Sequence, residues 1–209
     1  MSRLCYWKMR GMGWWYLPPL IALWLVLPGM LAIWYRQDPL TAASSYLRLC
    51  EQVIPLFSVW WLVMVRKEEL TGDGRELLYI YGGYRGRLGP ALFTLGWYLL
   101  HAAAPVAAGV WLLPEMGAEH LAKTGAQVLF IWGLCLLLME LLHSLAVPLL
   151  LCAAYCFGAY LMEREVMERT TIFFDVHTGP TFWPKCGAVA AAGLLLAVLG
   201  CWGLRRMRE

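Results

Sequence analysis

Six stretches of this chain are apolar for so long that most soluble folds are excluded before any motif is considered. They run over 14–34, 50–65, 90–113, 127–143, 147–162 and 187–204. A helix rises 1.5 Å per residue, so about 20 apolar residues cross a hydrocarbon core of about 30 Å. Between Gln127 and Met162 only Glu140 and His143 are ionisable. As one helix that run would reach about 54 Å, so it must fold back, and Ser144–Pro148 is the best turn. Charged residues make up 15% of the 209 and hydrophobic ones 61%, against about 25% and 45–50% in soluble domains. The expected fold is an all-α polytopic membrane protein. Its six spans form a single transmembrane domain over 1–209, with no room for a separate soluble one.

Each flank of these runs carries its own expectation. In residues 1–13, Arg3, Lys8 and Arg10 are mixed with Leu4, Tyr6, Trp7 and Met9. That mixture suits an interfacial elbow helix or a basic tail, with Gly11 and Gly13 supplying a turn. The run from Trp14 is too long for a cleaved signal core. Pro18-Pro19 fits a first turn, and Pro28-Gly29 predicts a kink. Leu40–Leu49 is expected as a short connector, Glu51 near the interface and Glu115–Gly125 as a polar loop. Glu163–Arg169 has helical character. Thr170–Trp183 contains Phe173, Phe174, Phe182 and Trp183, too apolar for a free loop, and suggests an interfacial or re-entrant element. The seven cysteines show neither zinc nor disulfide spacing and are expected as small buried hydrophobes.

The longest charge-rich interruption is Arg66–Arg87, with five basic and four acidic side chains. Within it, Arg75–Tyr81 predicts a short helix carrying Leu77, Leu78 and Tyr81 on one side. Glycines precede this helix, and Gly82-Gly83 follows it. Six spans put both termini and this segment on one side, together with eleven of the seventeen Lys and Arg. A basic excess marks the cytoplasmic face. The expected location is the plasma or inner membrane with both termini cytoplasmic. Mixed charge around an apolar strip favours a protein partner over an anionic lipid surface, and a net charge of +3 does not indicate nucleic acid.

Ionisable groups inside spans are costly, at about 2.5–3.5 kcal/mol on insertion scales, and so are functional candidates. Glu140 and His143 lie three apart on one predicted helical face, and His101 lies among small residues (His101-Ala-Ala-Ala-Pro105). Each has a structural alternative. Glu140 and His143 could cap the turn or pair with a basic neighbour, and His101 could hydrogen-bond between helices. No metal site is indicated by their spacing. GxSxG, HExxH and GxxxxGK[ST] are all missing from the sequence. Work driven by nucleotide hydrolysis would therefore need an ATPase on another chain.

Together these features resemble the transmembrane permease subunit of type-2 ATP-binding-cassette (ABC) exporters. The resemblance rests on the layout and on Arg66-Lys67-Glu68-Glu69, Gly72 or Gly74, Glu76-Leu77-Leu78 and Tyr84-Arg85, with Gly82-Gly83 where the family's turn has proline. It implies an elbow at 1–13, a cytoplasmic coupling helix in the loop 66–89 between spans 2 and 3, and a short external re-entrant element between spans 5 and 6. It also implies an ABC ATPase subunit docked through Glu68, Glu69, Arg75, Glu76, Leu77, Leu78, Tyr81 and Arg85, and a second permease chain, identical or not. ATP and Mg would sit on the ATPase, with no cofactor in this chain. His101, Glu140 and His143 become candidates for a substrate pathway, and the apolar spans suggest an amphipathic or lipid-like cargo. Two alternatives compete with this picture. One is an intramembrane enzyme using His101, Glu140 and His143, and the other is a non-transporting membrane scaffold or accessory subunit.

Overall fold

The computed structural model describes residues 3–72, 75–113, 116–158, 161, 171–174 and 181–206, with backbone alone for 3, 4, 39, 40, 71, 75–87 and 203–206. Among the described residues the fold is all-helical: α1 (Arg3–Gly11), α2 (Gly13–Gln37), α3 (Pro39–Thr71), α4 (Arg75–Leu112), α5 (Glu119–Leu142), α6 (Ala146–Gly158) and α7 (Phe182–Arg206). Five helices contain apolar stretches long enough to cross a membrane: Gly13–Gln37, Thr41–Leu70, Leu88–Leu112, Glu119–Leu142 and Phe182–Trp202. Their outward faces carry large apolar side chains, among them Trp24, Leu100, Leu142, Leu195 and Val198. So much exposed apolar surface suits lipid rather than water. The chain is a helical, multi-pass membrane protein.

Helix α2 is built in pieces. It opens with a 3-10 turn at Gly13–Tyr16, and Pro18 and Pro19 follow in the first α-helical turn, where missing N–H groups cost least. The sequence predicts a kink at Pro28-Gly29. The structure places a π-helical turn at Ala22–Val26, just ahead of it, in which Leu27 N–H bonds to Ala22 O. Such a turn lets the backbone absorb the proline's missing donor.

Helix α3 is the hub. One face (Val59, Leu62, Val63, Leu70) packs with α5, α6 and α7. Another (Tyr46, Leu47, Ile54, Trp61, Val65) packs with α2 and α4. Here the structure departs from the expected connector at Leu40–Leu49, because the helix starts at Pro39 and runs 33 residues. Asp38 supplies the cap: its backbone is extended, and its carboxylate accepts from Thr41 Oγ1 at 2.9 Å. Proline then occupies the first helical position, where its fixed φ helps and its lost donor does not matter. Two tyrosines clasp α3 to α4 reciprocally. Tyr46 donates to the Pro105 carbonyl at 2.7 Å, and Tyr98 donates to the Ile54 carbonyl at 2.6 Å.

Helix α4 also differs from expectation. No separate helix ends at Gly82-Gly83, since the backbone is helical without interruption from Arg75 to Leu112. Glycine inside a helix costs about 1 kcal/mol relative to alanine but removes no donor, so a Gly-Gly pair alone is a weak stop. At 38 residues, or about 57 Å, α4 exceeds any bilayer core. Its apolar window begins at Leu88, leaving Arg75–Arg87 as a charged helical extension.

Helix α5 starts at Glu119, eight residues before the expected Gln127, so most of the anticipated polar loop is helical. It ends at Leu142, and the turn falls where Ser144–Pro148 was expected, with Ser144 Oγ accepting from Val147 N at 3.4 Å. Helix α6 covers 13 residues, about 20 Å, and residues 159, 160 and 162 of the expected span to Met162 fall outside the described residues. The helical character expected for Glu163–Arg169 falls outside the described residues. Six of the seven cysteines are buried, as small hydrophobes would be.

The tightest helix pair is α5 with α7. A Cβ placed on Gly193 would lie 2.7 Å from Phe130 N, and one on Gly133 would lie 2.5 Å from Gly193 O. Gly200 meets Leu137 in the same way, so numbering rises together along both helices and they run parallel. Only glycine lets the two backbones approach this closely. Replacing Gly193 by Leu should therefore cost about 2 kcal/mol through overpacking. Gly187→Leu, where nothing lies within 4 Å of the new Cβ, should be nearly neutral. Thermal unfolding of the detergent-purified variants checks both.

Candidate functional site

Charged side chains in the apolar bundle collect at two levels of α3. Near its C-terminal end Arg66, 0% exposed, reaches across to Glu140 of α5, with Nη2 to Oε1 at 2.5 Å. One turn further along α3, Glu69 Oε2 meets Arg66 Nε at 2.7 Å, and Lys8 of α1 reaches the other oxygen of Glu69. The sequence Lys8–Glu69–Arg66–Glu140 alternates in sign and ties three helices together. Isolated charges at this burial would cost several kcal/mol each, and neighbours of opposite sign offset that cost.

At the other level Glu51 of α3, 5% exposed, pairs with Lys123 of α5 at 2.6 Å. The second carboxylate oxygen accepts from Phe174 N at 3.2 Å. Residues 172–174 carry no helical hydrogen bonds and are nonetheless buried, so side chains satisfy their backbone. Tyr155 Oη accepts from Ile172 N at 3.2 Å, Gln127 Nε2 donates to Ile172 O at 3.1 Å, and Lys185 Nζ donates to Phe173 O. Lys185 also sits 4.5 Å over the Phe174 ring. Irregular backbone is tolerated at membrane depth only under such protection. Residues 172–174 of the expected re-entrant element thus form a buried plug held by α3, α5, α6 and α7.

The two levels have opposite polarity. Helix α3 gives the acid at 51 and the base at 66, and α5 gives the base at 123 and the acid at 140. Both pairs form only if the helices run parallel in one register. A shift of one turn would break both.

The residues anticipated from sequence separate. Glu140 pairs with Arg66, a partner not foreseen from the sequence. His143 leaves the helix: its backbone is left-handed (φ 48°, ψ 34°), its N–H caps Met139 O at 3.1 Å, and its side chain is exposed. It therefore does not share a helical face with Glu140, because a residue that caps the last turn no longer follows the 100° rotation of the helix. His101 lies in an aromatic nest, accepting at Nδ1 from Trp24 Nε1 at 3.2 Å, with the rings of Trp61 and Trp97 edge-on at 5.9 and 4.8 Å. Trp24 belongs to the π-helical turn, so the distortion of α2 positions the donor for this histidine. Among the described residues no three His, Cys, Asp or Glu side chains cluster as metal ligands would.

Of the proposed docking residues, Glu68 is exposed, whereas Glu69 is 2% exposed and committed to Lys8 and Arg66. The side chains of Arg75, Glu76, Leu77, Leu78, Tyr81 and Arg85 fall outside the described residues. Sequence reasoning missed Arg66, Glu51, Lys123, Gln127 and Lys185 as buried partners. Each stands near the end of an apolar run, where a charge is ordinarily assumed to reach water. The available signal was the complementary order of charges along α3 and α5.

A double-mutant cycle tests the inner pair. Glu140→Gln leaves a buried guanidinium short of an anion and should cost about 3 kcal/mol. In an Arg66→Met background the same change should cost at least about 1 kcal/mol less, measured by chemical unfolding in detergent. Additive losses would show the two side chains to be energetically independent. Comparison with protein-family models, curated proteins and solved structures returned no match for this chain.

Proposed function

We propose that this chain is the membrane-spanning permease subunit of an ABC exporter, working with a separate ATPase subunit and a second permease chain. The observation that carries the reading is the junction of α3 and α4. A charged helical extension, Arg75–Arg87, continues without a break into the apolar stretch of α4. Immediately before it, α3 is pinned by Lys8–Glu69–Arg66–Glu140 to α1 and α5. A force applied to the extension would move α4 directly, and the ion pairs would carry any movement of the α3 end on to α1 and α5. This is the mechanical property that a coupling segment requires.

Six crossings account for the helix directions. Parallel α5 and α7 need one return passage between them, and α6 with the chain that follows is the segment available. Six crossings also leave both termini and the Arg75–Arg87 extension on the basic, cytoplasmic side, with α1 as the interfacial elbow. In this reading ATP and Mg bind the partner. Alternating access is driven by closure of its nucleotide sites, and the cargo is amphipathic or lipid-like because the bundle offers mostly apolar surface. His101, Glu140 and His143, the candidate trio of the intramembrane-enzyme alternative, each have separate surroundings, which favours the permease.

The test is co-purification of the chain with an ABC ATPase encoded beside it, comparing the native protein with Glu76→Lys and Leu77→Asp. Both variants should keep the helical fold by circular dichroism while losing most ATPase retention and stimulation of ATP turnover. Normal assembly and turnover in both variants would defeat the docking role.

A further inference from the structure

A groove of about 540 Å³ lies where α1 meets the first turns of α2 and the middle of α4. Its walls are Tyr6, Met9 and Arg10 of α1, Tyr16 of α2, and Phe93 and Trp97 of α4. The inner wall is firmly built: Trp97 Nε1 donates to Tyr16 Oη at 2.9 Å, and the Phe93 and Trp97 rings stack 5.9 Å apart. The depth of the groove follows from the apolar windows, which begin at Gly13 in α2 and Leu88 in α4. Phe93 and Trp97 stand about 8 and about 14 Å along α4 from Leu88, whereas Arg10 precedes the α2 window. The trough therefore starts at the polar boundary and runs into the hydrocarbon.

Charge marks the outer end. Arg10 is exposed, and its described neighbours are neutral: the Tyr6 hydroxyl at 3.4 Å and the Trp7 face at 5.8 Å. Lys8, two residues away, is already paired with Glu69. A cation at the mouth of an apolar, ring-walled trough that begins at the interface matches one class of molecule, an acyl chain carrying an anionic headgroup. We propose that this groove binds an anionic phospholipid of the leaflet on the N-terminal side, with one acyl chain along Phe93 and Trp97 and the phosphate at Arg10. The proposal rests on the chain being a membrane protein and not on its being a transporter.

The experiment reconstitutes the full chain into vesicles of equal parts phosphatidylcholine and phosphatidylglycerol, extracts it in mild detergent and counts retained lipids by native mass spectrometry. The native chain should retain phosphatidylglycerol about fivefold over phosphatidylcholine, the preference one well-placed cation supplies. Arg10→Gln should bring the ratio to about one, Arg10→Lys should keep most of it, and Met9→Trp, which fills the trough, should reduce retention of both lipids. Arg36→Gln, at the opposite end of α2, should leave the ratio unchanged. The proposal is overturned by equal retention of the two lipids on the native chain, by an undiminished preference in Arg10→Gln, by an equal loss in Arg36→Gln, or by a dimer whose formation excludes phosphatidylglycerol.

Discussion

The Arg66–Glu140 pair is the contact on which the arrangement of this bundle turns. Burying either charge among apolar helices alone would be costly, because the desolvation of each exceeds what one ordinary hydrogen bond returns. Once paired, they fix the distance and the register between α3 and α5, and Glu69 and Lys8 extend the same constraint to α1. The Glu51–Lys123 pair repeats it with reversed polarity toward the opposite ends of the same two helices. Apolar packing cannot do this, since Leu against Leu is nearly indifferent to a shift of one turn. Here the charges specify geometry more than they add stability.

The remaining helices are positioned by contacts suited to a medium without water. Backbones meet directly where glycine allows it, as at Gly133 and Gly193 between α5 and α7. Elsewhere aromatic side chains with one polar atom act as connectors. Tyr46 and Tyr98 clasp α3 to α4, and Trp60 and Trp61 donate to the carbonyls of Trp15 and Tyr16 in the opening turn of α2. These rings bury a large apolar body and still satisfy a carbonyl that a 3-10 turn or a nearby proline leaves accessible. The irregular segment at 172–174 is handled in the same way, with its three N–H groups and the carbonyls of Ile172 and Phe173 matched to specific side chains.

Several local features were legible in the sequence. The Ser144 turn follows from length alone, because the apolar run from Gln127 is too long for one crossing. Asp38-Pro39 is a helix start in its residue types, although the polar residues after it disguise the helix as a connector. The glycine pair at 82–83 misled for the opposite reason. It resembles a stop, yet nothing in it removes a hydrogen bond, and the helix of α4 runs through. His143 could be placed on a helix only by assuming that the helix continued, and the left-handed cap that ends it is set by local geometry that periodicity does not report.

By itself the sequence determined that this chain is a bundle of apolar helices and roughly where its longest apolar stretches lie, but not where α3, α4 and α5 start. Hydrogen bonding in a membrane-length helix is local, and the length of an apolar run is counted along the chain. Only the tertiary structure decided which charges are buried and with whom. Arg66 and Glu140 are 74 residues apart, and a solvated arginine and a buried one read alike until the facing helix is in place. The Arg66–Arg87 segment divides along that line. Its charge was visible at once, but that Arg66 and Glu69 face inward to hold the bundle became apparent only when α1, α3 and α5 came together.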